Sequence, residues 1–324
     1  MTNWRQRAVS SAAVFGLILS EAPAVLLLAQ PPPPQPGAGS AVASIAELWW
    51  PPKDIAARDL FLGPSGASHV PAKDAAYEVI GYDRTGYSAG YEVRDEQGRG
   101  WDVKLGTEAQ PELVASRVLW AIGYHQPSMH FVSGWRKKGE KTPSEPSARF
   151  RLQSAHDSKG EWAWSNNPFA GTRELRGLVV ANLVLNNWDL KDSNNRIYEI
   201  TENTPGPRRW FVVQDLGASL GRTGFPVGTR NDIDGFERQN LIARSQGGTI
   251  EFDYGGRHRD LLKGITAGDV SWICGLLAQL TDAQWADAFR AATYPPDIAQ
   301  RYITKLKSKV AEGVAVGTRG KGQP

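Results

Sequence analysis

The sequence predicts an α+β protein in which a small sheet carrying one helix precedes a mainly helical half. Three observations carry that expectation. Residues 76–105 are rich in Tyr, Val, Trp and Gly and are broken by the turn-formers DRTG and EQGRG, a hairpin pattern. In the second half apolar residues recur at helical spacing in several long runs. At 324 residues, with 41% hydrophobic content and 12 Trp, the chain suits one two-lobed domain or two small ones.

At the amino end, Arg5 and Arg7 precede the apolar runs AAVFGLIL and AVLLLA, which Glu21 and Pro23 interrupt. A spanning helix needs roughly 20 apolar residues, whereas an export signal needs an apolar core of only about 7–15. Residues 1–30 therefore read as a signal peptide, with an N-terminal anchor as the alternative, and AVA at 41–43 fits a small-residue cleavage site. PPPPQPGAGS reads as an extended spacer, taken as residues 31–45. The protein is expected to be exported (periplasmic or secreted) or anchored, with membrane contact only through this segment.

The next span, 46–155, opens with an irregular stretch, IAELWWPPKDIAARDLFLGPSG, holding short helical pieces at best. YEVIGYDRTGYSAGYEVRDEQGRGWDVKLG then reads as three strands joined by two hairpins. TEAQPELVASRVLWAIGYHQP reads as a helix: Thr107 caps it, Pro111 sits in its first turn, Gly123 ends it, and Leu113, Val114, Val118 and Ala121 form one apolar stripe. MHFVSGW and ARFRLQS are two further strands around the polar loop RKKGEKTPSEPS, which gives β-β-β-α-β-β. In 156–316, TRELRGLVVANLVL is apolar nearly all round and reads as a buried helix. RIYEI and RWFVVQD flank a turn, and AGDVSWICGLLAQL, TDAQWADAFRAA and PDIAQRYITKLKSKVAEG are three helices. Thr281 with Gln284 makes a capping box, and 317–324 reads as a disordered tail.

Composition excludes some classes. The 37 basic residues are scattered among 34 acids for a net charge of +3, with no basic stripe, so nucleic-acid binding is not expected. The lone Cys274 permits neither an intrachain disulfide nor a cysteine zinc site and reads as a buried apolar residue. His69, His125, His130, His156 and His258 show no ligand spacing and read as structural, with His156, near the junction of the halves, a candidate nucleotide contact. The Trp pairs in WWPP and EWAW could stack on sugars; packing is the expectation.

Polarity concentrates in NNWDLKDSNN (186–195), directly after the buried helix. A loop anchored at the end of a core helix can hold polar groups rigidly toward a cleft, as catalysis by positioning requires. VVQDLGASLG ends a hydrophobic strand in Asp215, with Gly217 free to turn sharply. WDVKLG places Lys104 near the end of the third strand, and Glu108 and Glu112 follow on one helical face. TGYSAGYEV puts Gly86, Ser88 and Gly90 in or beside the first hairpin turn.

In this order the four pieces resemble the protein-kinase-like superfamily over about residues 60–310. Asp189, Leu190 and Lys191, with Asn194 five residues after Asp189, resemble the catalytic loop; Asp215-Leu216-Gly217 resembles the metal-binding triplet with Leu for Phe. Asn187 and Trp188 stand where His-Arg is usual, and no Ala-Pro-Glu follows the triplet. The match is nearer the atypical branches: HipA-like, secretory-pathway and phosphatidylinositol kinases. The resemblance implies a two-lobed fold, ATP with Mg²⁺ or Mn²⁺, and transfer of the γ-phosphate to a hydroxyl acceptor, whether protein, sugar, lipid or metabolite. It implies Asp189 as base, Lys191 as support for the γ-phosphate, and Asn194 and Asp215 as metal ligands. Lys104 would grip the phosphates, held by Glu112 or else Glu108, under the turn of Gly86, Ser88 and Gly90. Two alternatives stand beside it: a kinase-fold binding module that has lost catalysis, and a serine hydrolase using Ser88 of GYSAG with Asp215 and His258 in Ser-Asp-His order.

Overall fold

Strand alternation sorts the first half into two faces. In β3 (Gly100–Lys104) Trp101 and Val103 are buried in a sheet core with Tyr77, Val93, Phe150 and Leu152, while Asp102 and Lys104 alternate with them and project from the opposite face. β6 (Ala148–Leu152) pairs antiparallel with it, setting Asp102 opposite Arg151 and Lys104 opposite Arg149. Four charged residues thus share one face. β1 (Ala76–Asp83) and β2 (Gly90–Arg94) complete the expected three-stranded meander, and β4 (Met129–Val132) pairs with the far edge of β6. A short β5 (Arg136–Lys137), inside the polar loop, runs parallel to β1 and closes the order β4-β6-β3-β2-β1-β5. The computed structural model describes residues 43–319 apart from 73–74, 84–86, 144, 154–155, 204, 227 and 247–248. The expected signal or anchor, most of the spacer, Gly86 and the last five residues lie outside the described residues.

Helix α1 (Ala109–Ala121) covers the charged face. It starts later than a Thr107 cap requires: Glu108 holds the N-cap position without a side-chain cap, because its carboxylate is engaged elsewhere. Instead of one apolar stripe, α1 is buried nearly all round, Glu112 and Arg117 included. The irregular segment before the sheet explains this by packing over it. Trp49 Nε1 donates to the Ile122 carbonyl (2.7 Å), and Arg117 donates to the carbonyls of Leu62 (3.0 Å) and Met129 (2.6 Å). Gly123 ends the helix at φ 104°, where a β-carbon would lie 2.6 Å from the Trp50 carbonyl oxygen.

The second half begins with β7 (His156–Gly160), which joins β8 (Asn195–Ile200) and β9 (Arg209–Val213) in a three-stranded sheet. The β8–β9 hairpin was expected; β7 was not, since HDSKG carries no alternation to betray it. Between them α2 (Arg173–Val184) is buried, its Thr172 cap accepting from Leu175 N. After β9 come α3 (Ile233–Glu237) and the hairpin β10 (Ile242–Gln246)–β11 (Thr249–Phe252), both unforeseen. The helices α4 (Ala267–Leu277), α5 (Asp282–Ala291) and α6 (Pro296–Arg319) follow, and α6 continues three residues into the segment expected as a tail. The Thr281–Gln284 capping box forms, and Thr266–Asp269 makes a second. The helices share one large core, in which Cys274 is buried and its thiol pushed up to about 12 by that burial. Among the described residues no helix is long and apolar enough to cross a membrane.

Candidate active site

The polar loop after α2 is staked at many points. All four of its asparagines donate a side-chain N–H: Asn186 to the Gly221 carbonyl (2.7 Å), Asn187 to Asn182 Oδ1 (2.9 Å), Asn194 to the Asp189 carbonyl (2.7 Å) and Asn195 to the Trp162 carbonyl (3.0 Å). Trp188 and Leu190 are buried between them. Much of the polarity in NNWDLKDSNN therefore replaces the hydrogen bonds that a buried non-helical backbone lacks. It leaves Asp189 and Lys191 facing a cavity of about 680 Å³.

Asp215 arrives from the end of β9. The backbone N–H groups of Gln214 and Asp215 both donate to the Asn194 carbonyl (2.9 and 3.3 Å), which puts Asp215 and Asn194 side by side. Gly217 must be glycine here, because a β-carbon would meet Glu108 Cβ at 2.6 Å. Across the cavity, Lys104 Nζ stands 2.8 Å from Asp215 Oδ1 and 2.8 Å from Glu112 Oε2, but 3.7 Å from Glu108. Glu112, fully buried, also faces Arg149 (3.2 Å) and Arg151 (3.7 Å). Glu108 instead binds Arg230 (2.6 Å) and accepts from Ser88 Oγ (2.9 Å).

Burial works against both charges of the central pair, and the pairing overrides it. It would raise the Asp215 carboxyl, yet the Lys104 ammonium, with the Gly217 N–H, holds it at about 2. It would lower Lys104, which Glu112 and Asp215 keep above its ordinary value. Both groups are charged at neutral pH.

The structure thus gathers Lys104, Glu108, Asp189, Lys191, Asn194, Asp215, Ser88 and Gly90 around one cavity, with Glu112 behind Lys104. Several members were missed. Arg149 and Arg151 were signalled by their period-two spacing in ARFRL; Arg230 comes from a distant loop with no local signal, as does Arg257, which meets Asp189 from outside the cavity lining. Asn194 and Asp215 are the residues that could hold a divalent cation. Among the described residues nothing donates to Asn194 Oδ1 or Asp215 Oδ2, and no group of three or more His, Cys, Asp or Glu is placed to hold a metal ion by itself. One carboxylate and one amide oxygen suit magnesium, which keeps several waters and takes its other ligands from phosphates.

Two expectations fare otherwise. His156 does not line this cavity but a second one of about 550 Å³, and it stacks on Tyr198. Ser88 is followed by strand β2, where a nucleophile elbow needs a helix, and His258 pairs with Asp260 (3.8 Å) away from the cavity lining. Trp162 and Trp164 are core residues, as packing requires.

No family model matches the chain, and no curated protein sequence matches it. Among solved structures it is similar to the Helicobacter pylori proinflammatory kinase CtkA, with 10% identity and a TM-score of 0.48 over 78% of this chain and 100% of that one. So distant a likeness leaves the function to be argued from the residues of the cavity.

Proposed function

We propose that the protein is a phosphotransferase with a two-lobed, kinase-like fold of an atypical branch, moving the γ-phosphate of ATP to a hydroxyl acceptor. The observation that carries this reading is the Glu112–Lys104–Asp215 ion-pair chain, 2.8 Å at each link, standing across one cavity from Asp189 and Asn194. Each residue has work in that reaction. Glu112 fixes the Lys104 ammonium, which binds the phosphates. Asn194 Oδ1 and Asp215 Oδ2 would hold magnesium, which when bound neutralises charge on the nucleotide. The Asp189 carboxylate accepts the proton of the acceptor hydroxyl. Lys191, 2.7 Å from Asp189 Oδ2, offsets charge on the moving phosphoryl group. Tyr87, Ser88 and Gly90, at and just before the start of β2, line the same cavity.

The test is incubation of the pure protein with labelled ATP, Mg²⁺ and a cell extract. Asp189→Asn and Asp215→Asn should each lower transfer by roughly 10²-fold or more while remaining folded. Undiminished transfer in both variants overturns the reading. A magnesium-dependent thermal shift with ATP but no labelled product would favour a binding module instead.

A further inference from the structure

Asp189 has both carboxylate oxygens taken by cations of its own chain. Lys191 Nζ lies 2.7 Å from Oδ2, and Arg257 Nε lies 2.7 Å from Oδ1. The two differ in kind. Lys191 belongs to the same loop and lines the cavity; Arg257 comes from the segment after β11 and is not among the lining residues. Its position is built. The Arg257 N–H donates to the Trp188 carbonyl (2.9 Å), its own carbonyl accepts from Tyr254 Oη (3.0 Å), and its guanidinium lies 4.5 Å over the Phe225 ring. His258, the next residue, takes the left-handed conformation at φ 52° that turns the chain away. Arg257 Nε is sealed against Asp189, yet the side chain as a whole is 37% exposed and Phe225 is 55% exposed.

A guanidinium in that place obstructs a base. The acceptor hydroxyl must come within roughly 2.6–3.2 Å of the carboxylate, and Arg257 already holds that approach at Oδ1. The contact is also a poor one for arginine. Its fork matches a carboxylate or phosphate bidentately, whereas here Nε alone meets an oxygen of a carboxylate shared with Lys191. An incoming anion offers the guanidinium an unshared partner.

We propose that Arg257 recognises the acceptor, and that the acceptor is a hydroxyl compound bearing a carboxylate or phosphate group. That anion draws the guanidinium off Asp189 as the hydroxyl takes its place. The inference rests on the phosphotransferase reading. In the step itself the acceptor O–H gives its proton to Asp189 and the oxygen forms the bond to the γ-phosphorus. The bond from that phosphorus to the bridging oxygen breaks, and its electron pair leaves on ADP.

The experiment is calorimetric titration of the metal-free, full-length protein with glycerol 3-phosphate, D-glycerate and glycerol. The wild type should bind at least one of the two anions and not glycerol. Arg257→Gln should weaken anion binding at least tenfold. Asp189→Asn, which removes the internal partner of the guanidinium, should tighten it severalfold. Opposite shifts from two residues in contact would not arise from a merely structural pair. Equal anion binding by wild type and Arg257→Gln, weaker binding by Asp189→Asn, or no anion binding by the wild type each overturns the proposal. ATP turnover, measured separately with Mg²⁺, distinguishes its failure from failure of the underlying reading: turnover undiminished in both Asp189→Asn and Asp215→Asn would remove the transferase while leaving the anion result to stand alone.

Discussion

Glu112 shows how much one buried carboxylate can organise. It is fully buried, yet three cations, Lys104, Arg149 and Arg151, lie within 3.7 Å of it. Removing one member of such a set leaves buried charges without compensation, which costs more than the pair contributes net. Glu112→Gln should therefore destabilise the fold by about 3–5 kcal/mol in urea denaturation. Glu108→Gln should cost less, since Glu108 sits at a helix end 3.7 Å from Lys104 and shares its charge with Arg230. Equal costs for the two substitutions would refute this ranking. The sequence offered both glutamates as partners of Lys104. The choice follows from where α1 begins: with Glu108 at the N-cap, Glu112 is one turn in and points at the charged face of the sheet.

At the scale of elements, the helices of the second half depend on their ends. Thr266 and Thr281 each accept a hydrogen bond from the N–H three residues on, while Asp269 and Gln284 reach back to the cap. Thr266→Ala and Thr281→Ala should each lower stability by about 1 kcal/mol in the same denaturation. Thr266→Ala should cost more, because Asp269 also holds Arg176 of α2 (2.8 Å) and relies on Thr266 for its position. The box at Thr281 was legible because Gln284 stands in the expected place before an amphipathic run. The box at Thr266 uses Asp, a shorter side chain than the signature prescribes. A deeper tie joins α6 to α2. Lys309, fully buried, donates to Asn186 Oδ1 and approaches the carbonyls of Leu183 and Val184 (3.4 Å each). Burial pushes its ammonium down to about 7. No periodicity announces this lysine as a core residue; only the helix it meets makes it one.

For the whole molecule the buried histidines set the acid limb of stability. Burial pushes His125 and His156 down to about 4 and His130 to about 3, from 6.5. Between about pH 4 and 6.5 the unfolded chain therefore binds protons that the folded chain refuses, so stability is full above pH 6.5 and falls as pH drops through that window. Asp215, held at about 2 against 3.8, loses its contribution lower, between about pH 4 and 2. The melting temperature should decline from pH 6.5 toward 4, and His130→Gln should flatten that decline. A pH-independent difference between the two proteins would count against it.

The sequence by itself determined the elements whose signal is local: the three-strand meander, the helix after it, the β8–β9 hairpin, the helices α2, α4, α5 and α6 and the loop and strand that carry Asp189 and Asp215. Alternation, helical spacing and turn residues act within a few positions, so they survive in one dimension. Only the tertiary structure decided which side chains meet. It set Arg149, Arg151, Arg230 and Arg257 among the acids, chose Glu112 over Glu108 for Lys104, moved His156 to another cavity and buried α1 nearly all round between the sheet, α5 and the segment before the sheet. Those outcomes depend on contacts between residues far apart in the chain, where charge and burial are properties of the assembled neighbours and no local pattern records them.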